Sequence, residues 1–177
     1  QQVARFFGCE AEEIALTRGP LRALFKPDLG GRLFELSHLQ AAWNPLICLS
    51  RRSEAYHAEL LAKAPAPATA PREDALPRDC LLDRIVAVLP EAGAWLEGSA
   101  APAVDLSGRA YQEEWRGDLL VLSTAFTLPS GSALELEKSV ETARQGLRIA
   151  YRVEHRGGPA PAGLLAVELN LGPGDRK

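Results

Sequence analysis

The chain has 177 residues, 46% of them hydrophobic and 24% charged, with a formal net charge of −3. A chain of that length buries roughly two-thirds of the surface its unfolded form exposes, so it needs neither a disulfide nor a metal to fold. The acidic balance argues against nucleic acid, whose phosphates demand a positive surface, and no apolar run is long enough to span a membrane.

Cys9, Cys48 and Cys80 are far apart and odd in number. They read as reduced thiols in a cytoplasm, and none forms the Cys-x-x-Cys pair of a zinc site. No metal or cofactor is expected. The chain opens on Gln1-Gln2, contains no methionine and stops soon after a strand-like run. It reads as one β-sandwich domain over residues 1–177, cut from something longer.

In chain order the apolar spacing is mostly two, which predicts strands rather than helices. Ile14 to Thr17 alternates, Gly19-Pro20 turns the chain, and Leu21 to Lys26 alternates again. Pro27-Asp28-Leu29-Gly30-Gly31 is a turn with two residues free to take positive φ, and Arg32 to Ser37 follows as a third strand. These three predict an antiparallel meander. The next stretch reads as helical: Ala41 to Leu49 is apolar and compact, and Ser53 is a candidate N-cap for Glu54 to Lys63, with Tyr56 and Leu60 on one side. Residues 64–79 contain four prolines and read as an extended loop.

The β pattern then returns. Cys80 to Leu89 reads as a buried strand, and Tyr111, Glu113 and Trp115 share the parity of another. Leu119 to Leu128, Ala133 to Val140, Leu147 to Glu154 and Leu164 to Leu171 follow, joined by Gly/Pro turns. In the third-last of these, Leu134, Leu136 and Val140 face one way and Glu135, Glu137 and Ser139 the other. The pattern predicts an all-β fold with minor α, an antiparallel sandwich.

Glycoside hydrolysis needs two carboxylates across a cleft. Glu113 and Glu114 point to opposite faces of a strand, and Glu135 and Glu137 share a face that reads as solvent. No catalytic residue is assigned. His38, His57 and His155 leave open a free-standing sugar epimerase, which needs a histidine and a carboxylate converging on one anomeric centre. Trp43, Tyr56, Trp95, Tyr111, Trp115 and Tyr151 leave open a carbohydrate-binding module, against a core role for Tyr111 and Trp115. Arg116-Gly117-Asp118 reads as a hairpin turn. The densest polar cluster is Trp43-Asn44 with Arg51, Arg52, Glu54, Tyr56 and His57. It is either a capped helix start with an idle ion pair or a patch that docks a domain or a carbohydrate through planar Arg forks.

Pro27 to Leu36, Ala41 to Asn44 and Arg51 to His57 resemble the C-terminal β-domain of glycoside hydrolase family 57 enzymes, the α-amylase/4-α-glucanotransferase type. Leu134 to Lys138 and Val167 to Asn170 look like strands of the same domain. The resemblance implies a mutarotase-like supersandwich, of the galactose-binding type, following a catalytic β/α barrel. No barrel is present in this chain, so the resemblance carries no catalytic residue over. It implies α-glucan or maltooligosaccharide and that barrel as partners. Where the family tends to have an aspartate-histidine pair after the Pro-rich stretch, this chain has Leu82-Asp83-Arg84.

Overall fold

The computed structural model describes residues 2–3, 13–46, 54–63, 74, 78–96, 100–143 and 146–172. Its elements are β1 (Gln2–Val3), β2 (Ile14–Arg18), β3 (Leu21–Lys26), β4 (Arg32–His38), α1 (Ala55–Lys63), β5 (Leu82–Val86), α2 (Ala92–Leu96), β6 (Val104–Asp105), β7 (Gln112–Arg116), β8 (Leu119–Thr127), β9 (Ala133–Ala143), β10 (Gly146–Gly157) and β11 (Leu164–Glu168).

They form three antiparallel sheets. The first runs β1-β2-β3-β4, the second β10-β9-β8-β7 and the third β11-β5-β6. The expected meander is present, with β1 added at its edge beside β2. The fold is all-β with minor α, as the spacing predicts.

Period two explains the large sheet. β8 and β9 pair Leu120 with Val140, Leu122 with Lys138 and Phe126 with Leu134, so directly opposed residues share a face. That face is buried, and the alternate set with Glu135, Glu137 and Ser139 is only half-buried. Ile14 and Phe25 of the first sheet, Ile85 of the third and Leu120, Leu136 and Val140 of the second meet in one hydrophobic cluster. At roughly 25 cal/mol per Å² of apolar surface, side chains of this size each stabilise the fold by about 1.5–3 kcal/mol.

The Gly30-Gly31 turn enters this core. Both residues have positive φ, 78° and 54°. The Gly30 amide donates to the Arg109 carbonyl at 2.6 Å. A Cβ on Gly30 would lie 2.6 Å from the Ser107 carbonyl oxygen, so only glycine lets the two backbones approach this closely.

β5 is buried at every position. β11 and β6 flank it, and Leu33 makes an isolated bridge to Cys80 just before it, tying the first sheet to the third. The strand ends at Val86. Val88 and Leu89 are exposed, short of the Leu89 that the apolar run predicts.

Two helical expectations change. Ala41 to Leu46 is not helical: it turns, and Trp43 bridges back to His38. Ala42 sits at a φ of 47°, and the Asn44 side chain accepts the Leu46 amide at 3.0 Å. Such a side-chain bond competes directly with helical backbone bonds. Residues 47–53 lie outside the described residues. The helix over Ala55–Lys63 does form, yet Tyr56 and Leu60 are exposed rather than packed inward. Ser53 lies outside the described residues. The visible cap is His57, whose Nδ1 accepts the Glu54 amide at 3.0 Å, the reach-back half of a capping box.

Candidate functional site

Trp43 is exposed on the turn after β4, and the Asn44 side chain is engaged by Leu46. Arg51 and Arg52 lie outside the described residues. Glu54, Tyr56 and His57 share the first turn of α1, with the Tyr56 and His57 rings 4.3 Å apart in an edge-on arrangement. Among the described residues, no hydrogen bond or ion pair joins Trp43 and Asn44 to this turn.

The histidines stand apart on β4, α1 and β10. The Nδ1 atoms of His38 and His57 accept backbone amides, and His155 Nε2 lies 2.9 Å from the Gly157 carbonyl. Among the described residues no histidine pairs with a carboxylate. The epimerase arrangement of histidine and carboxylate does not form in the described structure.

The surface carboxylates are held by arginines. Glu135 pairs with Arg156 at 2.5 Å, and Arg116 lies 2.7 Å from Glu114 and 3.3 Å from Glu137. The hairpin at Arg116-Gly117-Asp118 forms as expected, with β7 and β8 paired on either side.

A more demanding arrangement lies inside. Lys138 follows Leu134 and Leu136 on the inward face of β9, and its side chain has no exposed area. Its ammonium lies 2.6 Å from Asp83 Oδ2 on β5, which is equally sealed. Nζ also reaches the carbonyls of Gly30 at 3.0 Å, Gly31 at 3.1 Å and Leu81 at 3.0 Å. Tyr111 donates its hydroxyl to Asp83 Oδ2 at 2.8 Å, and Tyr151 donates to Oδ1 at 2.9 Å. The ammonium also sits 4.8 Å from the centre of the Tyr111 ring.

Donor counting fixes the protonation states. Every neighbour of Nζ is an acceptor, so an ammonium with three donors fits and an amine does not. Asp83 receives two hydroxyls and the ammonium, so it is an ionised acceptor. Burial lowers the Lys138 pKa from its ordinary value, and Asp83 pulls it back. Burial, with the Asp83 charge second, raises both tyrosine hydroxyls well above theirs. Both charges are sealed from solvent, so no substrate atom reaches them. The cluster instead fastens the Gly30-Gly31 turn, β5 and β9 to one another.

Sequence reasoning missed this cluster. Parity alone places Lys138 with the inward leucines, and Asp83 is the first charge in an apolar run. A lone cation and a lone anion, each at a core position, are the signal that pairs them.

On the other face of β5, Arg84 is also sealed. It bonds Glu168, lies 3.5 Å from Asp105 and sits 5.4 Å from the centre of the Trp95 ring on α2. Among the described residues its Nη2 has no hydrogen-bond acceptor, and its Nε has only the long ion pair with Asp105.

Residues 10–75 match the family described as alpha-amylase/4-alpha-glucanotransferase, C-terminal. The match covers β2, β3, β4 and α1, including the Gly30-Gly31 turn and every residue of the polar cluster read from the sequence. Of the buried cluster, only the turn falls inside it; Asp83, Tyr111, Lys138 and Tyr151 lie beyond.

The chain is also similar to the crystal structure of a 4-alpha-glucanotransferase from Thermococcus litoralis, with a TM-score of 0.80 and 24% identity over 96% of this chain. At that identity the likeness establishes the fold. This chain spans 26% of that protein. No curated protein matches the chain.

Proposed function

We propose that the chain is a non-catalytic C-terminal domain of an α-glucan-acting enzyme, an α-amylase or 4-α-glucanotransferase of glycoside hydrolase family 57. In this reading residues 1–177 are one domain that braces a catalytic β/α barrel and touches α-1,4-glucan. The observation that carries the reading is the match of residues 10–75 to the C-terminal family. The fold likeness supports it, since nearly all of this chain corresponds to about a quarter of a 4-alpha-glucanotransferase.

The sealed Asp83–Lys138 pair supports a bracing role, because a substrate cannot reach it. Trp43, Asn44, Arg51, Arg52, Glu54, Tyr56 and His57 are the residues proposed to dock a domain or contact glucan. Exposed Trp43, Tyr56 and Leu60 support this, since aromatic and apolar side chains anchor interfaces. A cytoplasmic setting is proposed from the cysteine usage; buried Cys80 is a free thiol, and no described helix is long and apolar enough to cross a membrane.

The test is incubation of the purified chain with maltoheptaose and chromatography of the products. Neither shorter nor longer maltooligosaccharides should appear. Turnover by this chain would overturn the proposal.

A further inference from the structure

The six aromatics read from the sequence separate by environment. Tyr111 and Tyr151 are committed to Asp83, and Trp115 packs against the core. Trp95 is different: it lines an open cleft of about 450 Å³ between α2 and β11, with Leu89, Pro90, Val167 and Glu168.

We infer that this cleft is a sugar-ring subsite, taking a glucosyl unit of an α-1,4-glucan against Trp95 with its hydroxyls on Glu168. The choice of glucan rests on the proposed function above; the site itself rests on three observations.

First, the lining is mostly apolar with one charged group, and the volume falls in the range of about 300–1,000 Å³ usual for small-molecule sites. A hexose presents a C–H-rich face that packs on an indole and hydroxyls at its rim that need acceptors.

Second, the acceptor is fixed in advance. Glu168 Oε2 receives Arg84, and Oε1 receives the Asn170 amide at 2.9 Å. Each carboxylate oxygen keeps lone-pair capacity for a hydroxyl. A side chain already held in place loses little conformational entropy when a ligand arrives.

Third, Arg84 is fully buried, yet among the described residues Nη2 has no acceptor and Nε has only the Asp105 carboxylate at 3.5 Å. Buried donors left unmatched are uncommon and call for a reason. Here the guanidinium backs both the cleft's carboxylate and its indole, so its position follows from orienting Glu168 and Trp95 rather than from satisfying every donor.

The experiment follows the three tryptophan indole N–H signals by NMR as the chain is titrated with maltoheptaose. Trp95→Phe assigns the Trp95 signal. That signal should shift with millimolar maltoheptaose. Trp95→Ala should weaken binding at least tenfold and Glu168→Gln several-fold, while Trp115→Phe should leave affinity unchanged. Circular dichroism of each variant confirms folding; if Trp95→Ala fails to fold, the wild-type Trp95 shift decides alone. A Trp95 signal that never moves, or movement confined to Trp43, overturns the subsite. So does self-association through the cleft, abolished by Leu89→Asp, with no sugar response. Any of these leaves the non-catalytic reading standing, whereas turnover of maltoheptaose removes that reading and leaves a measured shift intact.

Discussion

Lys138 Nζ lies 2.6 Å from Asp83 Oδ2, and neither side chain has any exposed area. The pair links the second and third sheets, and Nζ also reaches the carbonyls of Leu81 and of Gly30 and Gly31, in the turn between β3 and β4 of the first sheet. Forming such a pair contributes little net stability, because desolvation offsets most of the attraction. Breaking it is another matter.

Lys138→Met leaves Asp83 charged, buried and without its cation. We expect roughly 3–5 kcal/mol of destabilisation in urea unfolding. Asp83→Asn in the same chain removes the stranded charge and keeps an acceptor for the tyrosines. The double variant should regain much of that loss. A double variant no more stable than Lys138→Met would show that the charge is not the cause.

Gly30→Ala places a Cβ 2.6 Å from the Ser107 carbonyl at a φ of 78°. Gly117 also has positive φ, 66°, but a Cβ there meets nothing within 4 Å. Gly117→Ala should therefore cost only the left-handed strain, about 1–2 kcal/mol. Gly30→Ala should cost clearly more, since the backbone must also move. Equal midpoints in parallel urea titrations would contradict the close approach.

Alkaline pH tests the tyrosines. Both hydroxyls have raised pKa values in the folded chain. Above about pH 10 the unfolded chain loses these protons and the folded chain keeps them, so stability falls as pH rises. Two such groups give a slope approaching about 2.7 kcal/mol per pH unit. Lys138, lowered by burial, adds stability with rising pH until unfolded lysine titrates near 10.4, and then adds nothing further. Absorbance at ~295 nm should show Tyr111 and Tyr151 ionising together with loss of circular dichroism. Their ionisation in a still-folded chain would refute the sealed cluster.

Cys80 offers a chemical probe. Its Sγ lies 3.1 Å from the Asn170 amide nitrogen and 3.3 Å from the Asn170 carbonyl. Burial, the largest influence, raises its pKa and disfavours the reactive thiolate. Peptide mapping after iodoacetamide should find Cys80 unmodified in buffer and modified in urea, at a rate that follows unfolding.

The strands were legible because their signals are local. Alternation in Leu134 to Val140 shows which residues share a face, and Gly30-Gly31 shows where positive φ is available. Parity does not show what a face meets. Lys138 is visible as an inward residue, but its partner Asp83 comes from another sheet, and no local rule brings them together. The apolar stretch from Ala41 misled because composition favours a helix while the Asn44 side chain caps a turn against it. The Tyr56 and Leu60 spacing correctly marks a helix without saying what that side covers. The Trp95 cleft was beyond sequence reading, since it requires α2 and β11 to adjoin.

β5 carries Asp83 and Arg84 side by side, and neighbouring residues on a strand point to opposite faces. Asp83 meets Lys138 on one face, and Arg84 meets Glu168 on the other. If β5 slid by a single residue, every side chain would change faces. The arginine would then confront the lysine, and the aspartate would confront the glutamate, with like charges stranded on both faces at once. This adjacent pair of opposite charges therefore acts as a two-sided key: it admits one alignment of the central strand and repels its nearest neighbours.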